Sequence, residues 1–172
     1  MYITRRCKAL KFFSGKDKQK EKRIEQILLE QYDSYYRLAY SYVHNEADAG
    51  DIVQNGAYRA IRASHTLRKD EYAGTWVYRI MLNEIFRFCK VEKRNVVSLD
   101  EIPVEQGRED VYEDMDLQRA LDSLQPEDKA IVELRFYEGR KLEEIAQILG
   151  ENVNTVKSRL YRSMKKLRLQ LE

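Results

Sequence analysis

The chain has 172 residues, of which 43% are hydrophobic and 35% are charged, and its formal net charge is +2. No stretch approaches the roughly 18 consecutive apolar residues of a membrane-spanning helix, and the N-terminal apolar patch is too short for a signal peptide. Cys7 and Cys89 are not spaced as a disulfide framework or a zinc site. Seven glycines and two prolines favour a mostly helical protein, and we expect it to be cytoplasmic.

The small net charge hides a strong segregation of charge along the chain. Residues 1–95 hold 19 basic and 12 acidic side chains, residues 96–116 hold one basic and eight acidic, and residues 117–172 hold 11 basic and nine acidic. This alternation is typical of two small domains on a linker. We predict an all-α chain of two small helical domains joined by an acidic linker. Its parts are a basic flexible N-terminal arm (1–22), a first domain (23–94), the linker (95–116) and a second domain (117–172).

Three helices are predicted in the first domain. Apolar residues recur at helical spacing from Ile24 to Val43, which predicts the first helix. Asn45 is a favourable N-cap for the second helix, and Asp48 then lies near the positive end of the helix dipole. The stretch SHTLRKDE (64–71) interrupts the pattern, so we expect a loop there and a third helix after it.

The second domain has the pattern of a helix-turn-helix. Pro126 begins a helix that is expected to end at Gly139. Apolar residues then recur at positions i, i+3, i+4 and i+7 in the segment that Gly150 ends, and Asn152 is the N-cap of the final helix. A helix, a short turn beginning with glycine and a second helix form a helix-turn-helix, which commonly binds DNA.

The final helix carries six basic residues and no acidic residue from Val153 to Leu169. At 3.6 residues per turn its apolar residues fall on one side, which leaves the opposite side polar and cationic. Base edges are read by side chains near the start of such a helix, and phosphates are held by Arg and Lys. The face is therefore predicted to bind duplex DNA, the alternative being a charged, solvated terminal helix.

Two long segments resemble a known family. LDSLQPEDKAIVELRFYEGRKLEEIAQILGENVNTVKSRLYRSMKKL (121–167) is similar to the fourth region of bacterial sigma factors, which reads promoters. DAGDIVQNGAYRAIRA (48–63) followed by TWVYRIMLNEIF (75–86) is similar to their second region. The order of the two segments, the short linker between them and the absence of a third region resemble the extracytoplasmic-function class.

The resemblance implies three sets of contact residues. In the second helix, the residues implied to bind core RNA polymerase are Asp48, Asp51, Gln54 and Asn55. The residues implied to hold the melted minus-ten strand, with one base flipped out, are His65, Arg68, Lys69, Asp70, Arg79 and Asn83. The residues of the final helix assigned to the minus-thirty-five element are Asn154, Thr155, Lys157, Ser158, Arg159, Tyr161, Arg162 and Lys165.

Five positions depart from the family pattern: Gly50, Asn55, Arg87, Lys141 and Asn154. Gly50 and Asn55 stand where acidic residues are usual, which bears on polymerase binding. Lys141 replaces the usual Ser or Thr cap of the first helix in the motif, and the loss of a cap typically costs about 1 kcal/mol. These departures concern promoter preference more than the fold.

The implied function is that of a detachable, non-enzymatic specificity subunit. It would bind core RNA polymerase and promoter DNA, and direct promoter recognition, melting and initiation for a specialised, stress-responsive regulon. Neither a cofactor nor a metal is expected. An anti-sigma factor, often membrane-anchored in this family, is expected to hold it inactive. The acidic linker is either a solvated tether or a segment that enters the nucleic-acid channel of the polymerase.

Two other classes of function compete with this interpretation of the sequence. A free-standing helix-turn-helix regulator would bind operator DNA without polymerase, with the first domain sensing a ligand or a partner. An enzyme has little support, because His44 and His65 are isolated in the sequence and no catalytic motif is found. A regulator has no need for an Asp-rich second helix or a basic loop beside TWVYRIMLN. The first domain therefore distinguishes a sigma factor from a free-standing regulator.

Overall fold

The structure, a computed structural model, describes residues 15–96 and 112–171. Within these ranges the regular elements are α-helices and two single-turn 3-10 helices. The α-helices are α1 (Gly15–Glu30), α2 (Tyr32–Val43), α3 (Glu46–Ala63), α4 (Ala73–Val96), α5 (Tyr112–Asp122), α6 (Pro126–Phe136), α7 (Leu142–Leu149) and α8 (Val153–Leu171). The all-α prediction is confirmed for these residues. Most of the predicted arm and linker lies outside the described residues.

The first body consists of α1 to α4, one helix more than the sequence predicted. The apolar pattern from Ile24 to Val43 is shared between α1 and α2, which are separated at Gln31, where the backbone leaves the helical region (φ −114°, ψ 15°). Helix α1 begins at Gly15, so the last eight residues of the predicted arm are helical. The N-cap prediction is confirmed, because Oδ1 of Asn45 accepts a hydrogen bond from the Asp48 N–H at 3.0 Å.

The core of the first body is formed by the apolar faces of its helices. Helices α3 and α4 approach closely at Gly56, where an added Cβ would overlap the sulfur of Met81. The largest fully buried side chains here are Ile24, Tyr35, Val77, Tyr78, Met81, Leu82 and Ile85. On α3, Ile52 and Val53 are buried as well. The burial of these side chains fixes which face of α3 and α4 remains available to solvent, and hence to partners.

The second body consists of α5 to α8, and its last two helices form the predicted helix-turn-helix. Gly150 ends α7 in the left-handed conformation (φ 70°) and its N–H donates to the Ala146 carbonyl. Oδ1 of Asn152 then accepts a hydrogen bond from the Asn154 N–H at 2.8 Å. This bond satisfies one of the backbone N–H groups at the start of α8 that have no partner within the helix. Helix α5 begins at Tyr112, five residues before the predicted boundary of the domain.

The two bodies pack against each other through a polar cluster between α2 and α6. Lys129 is 2% exposed, and its Nζ donates to the Ser41 carbonyl at 2.5 Å and to Asp122 at 2.6 Å. The Ser41 hydroxyl donates to Glu133, which is 4% exposed, at 2.8 Å. The Tyr42 hydroxyl donates to the Pro126 carbonyl at 2.7 Å. Buried charges of this kind are stable only when they are paired.

A second contact joins α4 to the turn between α6 and α7. The hydroxyl of Tyr78 donates to Glu138 at 2.9 Å, and the guanidinium of Arg140 lies 4.6 Å from the centre of the Tyr78 ring. Burial raises the pKa of Tyr78, so its hydroxyl stays protonated and remains a donor at neutral pH. Together the two contacts hold the predicted domains in one compact arrangement.

Candidate nucleic-acid interface

Helix α8 presents its polar face to solvent. Val156, Leu160 and Leu167 face the core of the second body. The residues of the predicted DNA-binding set that are exposed are Asn154, Thr155, Lys157, Ser158, Tyr161, Arg162 and Lys165. Tyr161 is 66% exposed and adds an aromatic ring to this face. A helix of this shape can enter the major groove without rearrangement of the body that carries it.

Arg159 differs from its neighbours because it is used within the fold. Its Nε donates to Asp128 at 2.6 Å and its Nη1 donates to Glu151. These bonds tie α8 to the first turn of α6 and to the turn before α8. Arg159 thus lies beside the predicted DNA-binding face, but its donors are directed to the protein. This pairing was not foreseen from the sequence, since the partners are 31 and eight residues away.

The start of the helix-turn-helix explains how the chain tolerates Lys141. Lys141 is the N-cap residue of α7, and its side chain cannot accept a hydrogen bond from the helix. Instead Oε2 of Glu144 accepts the Lys141 N–H at 2.9 Å. Half of a capping box is therefore present, and the acidic residue also lies near the positive end of the helix dipole.

The predicted minus-ten residues are displayed by an anchored loop and by α4. Between α3 and α4, Leu67 is buried, and its carbonyl accepts a hydrogen bond from the Lys20 ammonium at 2.6 Å. The loop residues around it are exposed and therefore available to a ligand: His65, Arg68, Lys69 and Asp70. Arg79 and Asn83 are exposed one turn apart on α4, so they share a face of that helix.

Arg79 is also in contact with the second body. A Cβ added to Gly150 would overlap its guanidinium group, so the turn of the helix-turn-helix rests on this side chain. A pocket of about 310 Å³ lies at the same junction, between Trp76 and Thr75 of α4 and Gln147 of α7. In this compact arrangement the second body covers part of the predicted strand-binding face of α4.

The predicted polymerase-binding residues share one face of α3. Asp51, Gln54 and Asn55 are exposed and Asp48 is half-buried, whereas the opposite face of the helix is in the core. The spacing of three and four residues brings their side chains together on consecutive turns. The arrangement predicted from the sequence is therefore geometrically available as a single docking surface.

Three further residues near these sets were missed by the sequence analysis. A groove of about 730 Å³ between α3 and α4 is lined by Asn55, His65 and Asn83, and also by Tyr58, Arg59 and Arg62. It therefore connects the predicted polymerase-binding surface to the predicted minus-ten surface. The available signal was helical spacing, because Tyr58 and Arg62 lie three and seven residues after Asn55.

Comparison with known proteins agrees with this geometry. The family model of Sigma-70 region 2 matches residues 28–95, and that of Sigma-70 region 4 matches residues 114–167. RNA polymerase sigma factor SigV of Bacillus subtilis is 47% identical over 80% of this chain and 84% of its own length. The chain belongs to the extracytoplasmic-function class of RNA polymerase sigma factors. ECF RNA polymerase sigma factor SigE of Mycolicibacterium smegmatis is 33% identical over 84% of this sigma factor and 60% of its own length.

The fold of the sigma factor is also found among solved structures. The sigma factor RpoE of Bartonella quintana, solved in complex with the anti-sigma factor NepR, has a TM-score of 0.68 at 22% identity. That match covers 86% of this chain and 95% of RpoE. CnrH, solved with the cytosolic domain of CnrY, has a TM-score of 0.66 at 22% identity, over 90% of this chain and 94% of CnrH. Both matches show the fold.

Membership of this family decides between a sigma factor, a free-standing regulator and an enzyme. Sigma factors bind RNA polymerase and are not enzymes, and the free-standing regulator is not favoured. Among the described helices, none combines the length and apolar character needed to span a bilayer. Within the same residues, the structure contains no group of three or more potential metal-ligating side chains.

Proposed function

We propose that this sigma factor uses three separate surfaces during initiation. The exposed face of α3 binds core polymerase, the loop before α4 and the exposed face of α4 hold the melted minus-ten strand, and α8 lies in the major groove of the minus-thirty-five element. The observation that carries the proposal is the outward, solvent-exposed polar face of α8, which is cationic and has no acidic residue.

Contacts at α8 follow from the geometry of the helix. Asn154 and Ser158 lie in its first two turns, where a recognition helix reaches base edges, and Arg162 lies one turn further. Arg162 has the donor geometry for a bidentate contact with guanine, and Asn154 has that for adenine. Lys157 and Lys165 are placed beside them to contact phosphates, which supply salt-dependent affinity.

The proposed contacts require the two bodies to separate. The minus-ten and minus-thirty-five elements lie about 25 base pairs apart, which is about 85 Å along straight B-DNA at 3.4 Å per base pair. In the structure the turn before α8 touches Arg79 of α4. The compact arrangement therefore differs from the promoter-bound one, in which the two bodies lie apart.

We further propose that this sigma factor acts in the cytoplasm on a stress-responsive regulon and is restrained by an anti-sigma factor. Support comes from the class to which it belongs and from the two similar structures, both of sigma factors in complexes with other proteins. An anti-sigma factor that stabilises the contact between α2 and α6 would oppose the separation needed at a promoter.

The polymerase contact is tested by variants of the α3 face. Asp51→Arg and Gln54→Ala are expected to lower the affinity for purified core polymerase about tenfold, because both replace exposed polar side chains on consecutive turns of the proposed docking face. Lys18→Ala, which changes an exposed side chain of α1, is the control. Unchanged core binding by both α3 variants would contradict the assignment of this surface.

A further inference from the structure

We propose that the polar cluster between α2 and α6 is a proton-dependent switch, which holds the two bodies together when the Glu133 carboxyl group is protonated and lets them separate when it is ionised. The inference rests on the proposed function, in which the two bodies lie apart at a promoter. It concerns the sigma factor on its own, before polymerase or DNA is bound.

The cluster belongs to both bodies, which is the first reason. Glu133 and Lys129 are on α6 of the second body, and both are almost completely buried. Their partner across the contact is Ser41 of α2, whose hydroxyl donates to Glu133 and whose carbonyl accepts from Lys129. When the bodies separate, Glu133 loses Ser41 and is exposed to water. The environment of its carboxyl group therefore depends on whether the bodies are closed on each other.

The balance of charge in the cluster is the second reason. Lys129 supplies the buried positive charge, and its ammonium lies 2.6 Å from the Asp122 carboxylate but 3.8 Å from that of Glu133. Asp122 therefore has the closer ion pair, and the charge of an ionised Glu133 is only partly compensated. The other contact of the Lys129 ammonium is the ring of Tyr42, at 4.6 Å. A buried carboxylate that lacks a close cation is unfavourable, and a bound proton removes that cost.

The affinity of Glu133 for the proton agrees with this balance. Burial raises the pKa of Glu133 from 4.5 to about 7, Lys129 and the Ser41 hydroxyl oppose the increase, and Asp122 of α5 and Glu138 after α6 add to it. In the separated chain the carboxyl group lies in water, where its pKa is the ordinary one. Closing therefore takes up a proton. The closed arrangement is favoured below pH 7, and its advantage is lost as the pH rises through 7.

A second link between the bodies acts in the same direction. Nε2 of His44, which follows α2, lies 3.0 Å from the Asp122 carboxylate of α5. The ring of Tyr40, on the preceding turn, is the other group against this imidazole. A protonated histidine forms an ion pair with a carboxylate, and histidine commonly changes charge between pH 5 and 8. The side chains of His44 and Asp122 are 45% and 40% exposed, so this pair contributes less than Glu133 does.

Separation has a consequence for the proposed strand-binding face. In the closed arrangement the turn at Gly150 rests on the guanidinium of Arg79 on α4. A rise in pH through 7 therefore increases the fraction of the sigma factor in which this face of α4 is uncovered.

The test measures the distance between the bodies in the full chain by double electron–electron resonance at pH 6 and pH 8. Spin labels are attached to p-azidophenylalanine at the exposed positions Lys22 of α1 and Lys157 of α8. In the wild type, the ratio of closed to separated chains is expected to fall about tenfold between pH 6 and pH 8, the change that a pKa of about 7 when closed and 4.5 when separated produces.

Two variants identify the group that titrates. Glu133→Gln is neutral at both pH values, so its ratio should change by less than about threefold, through the exposed pair of His44 and Asp122. Glu143→Gln, which changes an exposed glutamate on α7, is the control and should behave as the wild type. Circular dichroism at each pH distinguishes separation from unfolding.

The outcomes that would overturn the inference are distinct from failure of the proposed function. A wild-type ratio that is the same at pH 6 and pH 8, an equal change in Glu133→Gln, or unfolding in place of separation would each overturn it. Affinity for core polymerase is measured separately. A chain that separates with rising pH but does not bind core would contradict the proposed function and leave the proton-dependent contact in place.

Discussion

Replacement of Glu133 by glutamine is expected to stabilise the protein at alkaline pH and to have a small effect in acid. Burial raises the pKa of Glu133 from 4.5 to about 7, Lys129 and the Ser41 hydroxyl oppose the shift, and Asp122 and Glu138 add to it. The folded state therefore binds the proton more tightly than the unfolded state. The stability due to this proton is complete below pH 4.5 and is lost as the pH rises through 7.

The size of the effect follows from the shift. A change of 2.5 pKa units, at 1.36 kcal/mol per unit, corresponds to about 3 kcal/mol. Glutamine resembles the protonated carboxyl group, since it is neutral and can still accept the Ser41 hydroxyl. We expect Glu133→Gln to be more stable than the wild type by about 3 kcal/mol at pH 8 and by less than about 1 kcal/mol at pH 5.

Urea denaturation at pH 5 and pH 8 measures the difference, and Glu143→Gln, which changes an exposed glutamate on α7, is the control. The control should change stability by less than about 0.5 kcal/mol at either pH. A Glu133→Gln variant with the same stability difference at both pH values would refute the reasoning. A carboxyl titration of Glu133 by NMR with a midpoint near 4.5 would refute it independently.

Four further substitutions test the local structure and the DNA-binding face. Gly150→Ala should destabilise the chain by about 1–2 kcal/mol, because φ is positive there, and Arg79→Ala in the same chain should recover the part due to overlap with the guanidinium. Asn45→Ala should cost about 1 kcal/mol of unfolding free energy through the lost N-cap. Arg159→Ala should cost about 1.5–3 kcal/mol in urea denaturation through its lost charged hydrogen bonds. Arg162→Ala should leave stability within about 0.5 kcal/mol but weaken minus-thirty-five duplex binding, and the opposite pattern for the two arginines would contradict their assignments.

The helix-turn-helix could be predicted from the sequence because its signals are local. Gly150 must adopt a positive φ to end α7, and Asn152 supplies an acceptor to the first turn of α8. The exposed face of α8 likewise follows from the helical period. By contrast, the break at Gln31 escaped prediction because the apolar period continues across it with only a small offset in phase.

The contact between the two bodies could not be predicted from local patterns. In the sequence, Lys129 and Glu133 have the spacing of charged residues on an exposed helix face. In the structure they are buried, because Ser41 of α2 lies against them. Ser41 is separated in the chain from Lys129 by 88 residues and from Glu133 by 92, so no periodicity or motif reports this contact. The same reason explains why Arg159 was assigned to DNA and its ion pairs with Asp128 and Glu151 were missed.

Transcript sequencing with reconstituted holoenzyme tests the central claim most directly. Core polymerase is incubated with genomic DNA with and without the full chain, and the 5′ ends of the transcripts are mapped. The account predicts a small set of new start sites that depend on the chain, each preceded by two shared elements at constant spacing, and loss of those starts with Arg162→Ala. A chain that produces no new start sites although it binds duplex DNA alone would contradict it.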